Sequence, residues 1–328
     1  MRIYFLDQFF LSDKEHEQVE RIIKDAGHEI IFRDWTKSEE VIEGAKDADA
    51  VIHMAVQMTA EVMDALPNLK VISRCGIGYD NVDIDAAAER GIVVCNVPDH
   101  CVYEVASHIF ALIMALERQL FAFVARGKTG AYANGKEIKC HRIKGQTLGL
   151  LGYGRIGREL AKMCVGVGMN VLVSDPFIKE INEPCITLSS SKEEVLRKAD
   201  VIVPHTPLSP STFHLIGKDD FSIMKPTAYL VNASRGGVVD TEGLLDALKT
   251  GKIAGAGVDV IEGEPIPAGN PIHEIPNLLY TPHVGMYSEE AMKDMYDKLT
   301  SQLLDVLNQR WPNNVVNPAV REKLCWAK

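Results

Sequence analysis

The chain has 328 residues, more than a single hydrophobic core usually serves, so length alone predicts two domains. Hydrophobic residues at 46% and charged residues at 24% describe a globular protein and exclude a disordered or fibrous one. A formal net charge of -10, with no run of Lys and Arg to overrule it, argues against nucleic acid or an anionic membrane surface as a partner.

At the N-terminus, Asp7 interrupts what would have to be the apolar core of a signal peptide, and no later apolar run nears the roughly 18 residues of a membrane span. A cytoplasmic chain is expected. Seven scattered cysteines without a C-x-x-C pair predict reduced thiols, not a disulfide framework or a zinc site, and no metal is expected. Short β-rich runs then alternate with helical patterns. Strands are predicted over 3–6, 29–32, 50–53, 71–73 and 92–95, and Ser12 with Glu15 forms a capping box that opens the first helix. Such alternation implies a parallel sheet. An apolar-periodic helix over about 102–126 has no strand partner of its own and is expected to serve as a domain bridge or dimer arm.

A second series of strands, near 148–151, 171–174, 201–203, 229–232, 257–260 and 278–280, predicts a second doubly wound unit. The last helix, about 288–307, follows that unit and can return to the first domain. Inside the second series, Gly152-Tyr-Gly154-Arg155-Ile156-Gly157 is a G-x-G-x-x-G motif. A strand runs into it, and apolar residues recur at helical spacing after it. The glycines therefore sit where a strand turns into a helix whose N-terminal amides can hold a pyrophosphate. Asp175 ends the next strand, where an acid would bind an adenosine ribose and repel a 2′-phosphate, so NAD is the expected cofactor. The fold class expected is α/β: a Rossmann NAD-binding domain, 100–286, inserted in a discontinuous flavodoxin-like substrate domain made of 1–99 and 287–328.

Ligands of an open parallel sheet bind beyond the carboxyl ends of its strands. The residues that follow the strands here are His205, Thr206 and Pro207; Ala233, Ser234 and Arg235; Asp259; and His283 and Gly285. All of these are expected to line the cofactor. A guanidinium grips a carboxylate next to a carbonyl with both prongs, so Arg235 suits a 2-oxo acid. A histidine gives and recovers the proton of the alkoxide, and His283 suits that role. A carboxylate beside the imidazole fixes its tautomer and favours its protonated form, and Glu264 suits that role.

At this point the sequence resembles the D-isomer-specific 2-hydroxyacid dehydrogenases. The resemblance rests on Cys75-Gly-Ile-Gly-Tyr-Asp-Asn-Val-Asp83, the Gly152 to Gly157 loop, Asn232-Ala-Ser-Arg-Gly-Gly-Val-Val-Asp240, Gly257-Val-Asp-Val260, Glu264-Pro265 and Thr281-Pro-His-Val-Gly285. It implies that Arg235, Glu264 and His283 are the catalytic triad and that amides around Cys75 and Gly76 hold the substrate carboxylate. It also implies a homodimer joined through the cofactor domains. Val94-Cys-Asn-Val-Pro98 and Met286-Tyr-Ser-Glu-Glu290 look most like the C-terminal binding protein branch, which carries a tryptophan where this chain has Met286. Phosphoglycerate dehydrogenases look similar too, but usually place an arginine where this chain has His53, and many of them carry a further regulatory domain. His53 is accordingly expected to contact a substrate without a phosphate. The expected activity is reduction of a small 2-oxo acid, or oxidation of the 2-hydroxy acid. The alternatives are an NAD(H) sensor with vestigial chemistry and a dehydrogenase of another small anion such as formate or phosphite.

Overall fold

The computed structural model describes residues 1–132, 138–324 and 326. Along the chain, β1 (Arg2–Phe5), α1 (Asp13–Asp25), β2 (Glu29–Phe32), α2 (Ser38–Gly44), β3 (Ala50–His53), α3 (Ala60–Asp64), β4 (Val71–Arg74), α4 (Ile84–Glu89) and β5 (Val93–Cys95) come first. Two helices follow, α5 (Val102–Glu117) and α6 (Leu120–Lys128). The second series is β6 (Thr147–Leu151), α7 (Arg155–Gly166), β7 (Asn170–Ser174), β8 (Ile186–Leu188), α8 (Lys192–Lys198), β9 (Val201–Pro204), β10 (Tyr229–Asn232), α9 (Thr241–Thr250), β11 (Gly255–Val258) and β12 (Leu278–Tyr280). A final helix, α10 (Glu289–Leu307), is capped by Ser288, whose hydroxyl accepts from the Ala291 amide at 2.9 Å. The chain divides into two compact units, Met1–Cys101 with Ser288–Lys328, and Val102–Tyr287.

The first unit is a parallel sheet in the order β2-β1-β3-β4-β5. Side chains alternate across it, as the strand period of two requires. Ile3, Phe5, Ala50, Ile52, Val71 and Val93 pack with Val19 and Ile23 of α1 and with Met295, Tyr296 and Leu299 of α10. Tyr4, Val51, Ile72 and Val94 pack on the other face with Val41, Val62 and Ala87 of α2, α3 and α4. Both faces are covered, which is why these strands read as nearly continuous apolar runs. The capping box is present: the Ser12 hydroxyl accepts from the Glu15 amide at 3.4 Å, and the Glu15 carboxylate accepts from the Ser12 amide at 2.6 Å.

The second unit is a seven-stranded parallel sheet, β12-β11-β10-β9-β6-β7-β8, whose strand order reverses between β6 and β9. That reversal opens a crevice at the carboxyl ends of these two strands. Three elements differ from expectation. The single helix over 102–126 is two helices, bent by 60° at a break where Gln119 adopts a left-handed φ of 48°. The Gln119 amide side chain donates to the Leu116 carbonyl and the Tyr229 hydroxyl, which ends α5 although the apolar pattern continues. Up to that break α5 packs on α7, β10 and β11 of its own unit, and a Cβ on Gly257 would touch Leu112 and Leu116 at 3.3 Å. β11 ends at Val258, two residues earlier than expected, and β8 is a three-residue edge strand too short to signal itself. No single helix among the described residues is long and apolar enough to cross a membrane.

Candidate active site

The glycine-rich turn lies at the crevice between β6 and β9. Gly152 has φ +104°, and a Cβ there would stand 2.4 Å from the His205 carbonyl oxygen, so only glycine lets the two strand ends approach so closely. Gly157 meets the Gly152 carbonyl in the same way, at 2.9 Å, which seats the first turn of α7 on the loop. Gly154 caps α7 with no side-chain bond to the helix amides, and no atom lies within 4 Å of where its Cβ would be. Ile156 is buried beneath the helix and Arg155 is exposed at its first position.

Asp175 follows β7. Its Oδ2 accepts from the Tyr153 amide at 2.8 Å and its Oδ1 from the Phe177 amide at 2.9 Å, which fixes the carboxylate while leaving lone pairs for a diol. Across the crevice, His205 Nδ1 and Thr206 Oγ1 are buried without a partner, and Pro207 is exposed beyond them. Burial, with Arg235 adding to it, pushes His205 down to about 4, so its ring is neutral. Open space at Gly154, orphaned polar atoms at 205 and 206, and a fixed acid at 175 fit a dinucleotide: Gly152 to Gly157 would hold the pyrophosphate and Asp175 the ribose.

The remaining strand ends carry the chemistry. Asn232 ends β10, and its carboxamide accepts from the Ser234 amide and hydroxyl and donates to the Arg235 carbonyl at 3.0 Å. Ala233 and Arg235 are half-buried on this framed turn. Arg235 donates to the Ser234 carbonyl at 2.8 Å, and a Cβ on Gly236 would fall 2.3 Å from the Ile261 carbonyl carbon, so the next loop lies directly against it.

That next loop carries Glu264, and the one after β12 carries His283. Their side chains meet: His283 Nδ1 donates to Glu264 Oε1 at 3.0 Å. His283 is held in the left-handed region, φ 56°, by its amide bonds to the Asp259 and Thr281 carbonyls. Such a conformation is uncommon outside glycine and points to a position held by its surroundings. Asp259 does much of that holding. Its buried carboxylate accepts from Thr281 Oγ1 at 2.6 Å and from the Val284 and Gly285 amides at 3.0 and 2.9 Å, while His108 lies at 3.4 Å. Burial alone would raise its pKa, yet those bonds outweigh burial and hold it below the ordinary aspartate value. The Asp259 carboxylate is thus committed to the 281–285 loop.

His53, Cys75 and Gly76 lie in the first unit, at the carboxyl ends of β3 and β4. His53 Nδ1 donates to the Val56 carbonyl at 3.0 Å, which leaves Nε2 a bare acceptor, buried and without a partner. Burial, with Arg74 adding to it, pushes His53 down to about 3. The Cys75 amide donates to the His53 carbonyl at 2.8 Å. This corrects its expected role, because an amide spent inside the sheet cannot hold a carboxylate. Arg74 closes β4 as the register partner of His53. Gly76 has φ +125°, and a Cβ there would collide with the Arg74 guanidinium.

The NAD-binding domain model of the D-isomer specific 2-hydroxyacid dehydrogenases matches residues 110–285. A D-3-phosphoglycerate dehydrogenase of Methanocaldococcus jannaschii is 38% identical over 94% of this chain, which spans only 59% of that protein's length. A glyoxylate reductase of Korarchaeum cryptofilum is 37% identical over 85% of this chain and 86% of its own. Among solved structures, a D-lactate dehydrogenase from Aquifex aeolicus, complexed with NAD and lactic acid, superposes with a TM-score of 0.87 at 27% identity, covering 96% of this chain and 99% of that one. These relatives are phosphoglycerate dehydrogenases, reductases and lactate dehydrogenases, whereas two short motifs had leaned toward the C-terminal binding protein branch. With the fold matched along nearly its whole length and the NAD-binding model over more than half of it, the chain belongs to the D-isomer specific 2-hydroxyacid dehydrogenases, NAD-dependent oxidoreductases that act on CH–OH groups.

Proposed function

We propose that the protein reduces a small, unphosphorylated 2-oxo acid to the 2-hydroxy acid. The observation that carries this reading is the 3.0 Å contact of His283 Nδ1 with Glu264, which leaves Nε2 of a half-exposed ring as the proton-carrying atom. Bound NADH supplies the hydride. Arg235 grips the carboxylate and polarises the neighbouring carbonyl, and His283 Nε2 gives its proton to the oxygen as charge develops there. Glu264 holds the ring in the tautomer that this requires. An unphosphorylated acid is proposed because His53, a buried and neutral ring, stands where phosphoglycerate dehydrogenases usually carry an arginine. The near full-length relatives named glyoxylate reductase support a small one. A homodimer is part of the proposal, because α6 buries none of its residues and exposes Leu120, Phe121 and Val124.

The test is the pH–rate profile. Reduction needs the protonated ring and oxidation the neutral one, so Glu264→Gln, which removes the charge and keeps the shape, shifts the alkaline limb of reduction to lower pH. Hydroxy-acid oxidation in the same variant persists to lower pH. His283→Asn loses about 10² to 10⁴ in rate in both directions. An unmoved limb in Glu264→Gln, or His283→Asn within a few-fold of the parent, sends the search for the proton donor elsewhere.

A further inference from the structure

Glu262 stands two residues before Glu264, and nothing above uses it. Its Oε1 accepts from His214 Nε2 at 2.9 Å and its Oε2 from the Thr241 amide at 3.0 Å, while its own amide donates to Thr241 Oγ1 at 3.4 Å. Each partner belongs to a different loop at the carboxyl edge of the sheet. His214 lies on the segment that leaves β9 through His205 and Thr206. Thr241 opens α9, six residues past Arg235. Glu262 itself rides on the loop that carries Glu264.

The backbones repeat this arrangement. The His214 amide donates to Gly237 at 2.8 Å, Ile216 to Val238 at 3.1 Å, and Asp240 back to Ile216 at 2.9 Å. On the opposite side, a Cβ on Gly236 would fall 2.6 Å from the Glu262 amide nitrogen. The 235–240 segment is therefore held between the other two, and one carboxylate spans all three. Asp240, the other charged group of the cluster, caps α9 through the Gly243 amide at 2.9 Å. Burial would favour a neutral Glu262, but the bonds from His214 and Thr241 outweigh it and hold the carboxyl below its ordinary value.

We propose that Glu262 is a positioning residue for hydride transfer: by tying His214 and Thr241 to its own loop, it sets Glu264 against His283 and Arg235 against the substrate. The proposal rests on the roles given above to Arg235, Glu264 and His283. A site of this kind tolerates little displacement, since misplacement by about 1 Å costs on the order of a hundredfold in rate.

The experiment compares Glu262→Ala, Glu264→Gln and the double variant in oxo-acid reduction with NADH across pH, alongside NADH binding by fluorescence and thermal melting. Glu262→Ala is expected to lower kcat by about tenfold or more and raise KM for the oxo acid, with NADH affinity held within about twofold. It moves the alkaline limb of reduction to lower pH, and adding Glu264→Gln moves the limb no further, because both act through one contact. Glu262→Gln, which keeps the length and one acceptor, recovers most of the rate. A lower melting temperature with an unmoved limb and an unchanged KM overturns the proposal, as do limb shifts that simply add. If Glu264→Gln alone leaves the limb in place, the proton-donor reading has failed, and the rise in oxo-acid KM without loss of NADH affinity then decides for or against Glu262. Should Glu262→Ala not fold, His214→Gln breaks the same tie from the other side and is judged by the same readouts.

Discussion

His53 is buried and His205 half-buried at strand ends, each with one buried ring nitrogen that has no partner. Desolvation dominates both and pushes them down to about 3 and about 4, from 6.5 in the unfolded chain. Both states are neutral above about pH 6.5, so the native structure keeps its full stability there. Below that, the unfolded chain takes up protons that the folded one refuses, at a cost of about 1.4 kcal/mol per pH unit for each histidine. The loss continues until the folded values are reached. The melting temperature is therefore expected to fall between about pH 6.5 and 5, and His53→Asn, which keeps a donor for Val56 but cannot titrate, should flatten that slope. A melting temperature independent of pH over this range would show that the two rings are wetter than their surroundings indicate.

Among the elements, β6, its glycine turn and α7 are proposed to decide cofactor binding, and their glycines separate two effects. Gly154 has open space where a Cβ would go, so Gly154→Ala should leave the melting temperature nearly unchanged and weaken NADH by about tenfold or more, because the methyl fills space meant for the pyrophosphate. Gly152 is pressed against the His205 carbonyl at positive φ, so Gly152→Ala should weaken NADH and also destabilise the fold by about 1–3 kcal/mol. Fluorescence titration and melting curves on the two variants separate these outcomes, and equal destabilisation by both would contradict the geometry. The turn was legible in the sequence because its constraints are local: a strand, three glycines, a helix and an acid follow one another within the 29 residues from Thr147 to Asp175. Both sheets were legible for the same reason, through strands that are apolar on two faces. The α5–α6 break was not, because it depends on Gln119 reaching Tyr229, 110 positions away, while the apolar pattern runs straight through. The Glu262 tie to His214, across 48 positions, was hidden in the same way. His283 could be read as a strand-end residue and Glu264 as a residue of a connecting loop, but their meeting is a property of two loops that no spacing reports.

For the molecule as a whole, the exposed apolar residues of α6 are expected to be covered by a second copy. Light scattering should give twice the 36.2 kDa chain mass, and Phe121→Asp with Val124→Lys should yield monomers. The central claim is chemical: the cofactor turn, Arg235, and the His283–Glu264 pair together reduce a small 2-oxo acid whose substituent carries no phosphate. Loss of NADH absorbance across a panel of 2-oxo acids tests it most directly, with glyoxylate, pyruvate and longer homologues set beside the 2-oxo form of 3-phosphoglycerate. The account predicts turnover of at least one small unphosphorylated acid, with kcat/KM about tenfold or more above that of the phosphorylated one, a difference of at least about 1.4 kcal/mol in transition-state binding. Preference for the phosphorylated acid would contradict the reading of His53, and turnover of none by a protein that still binds NADH would contradict the account itself.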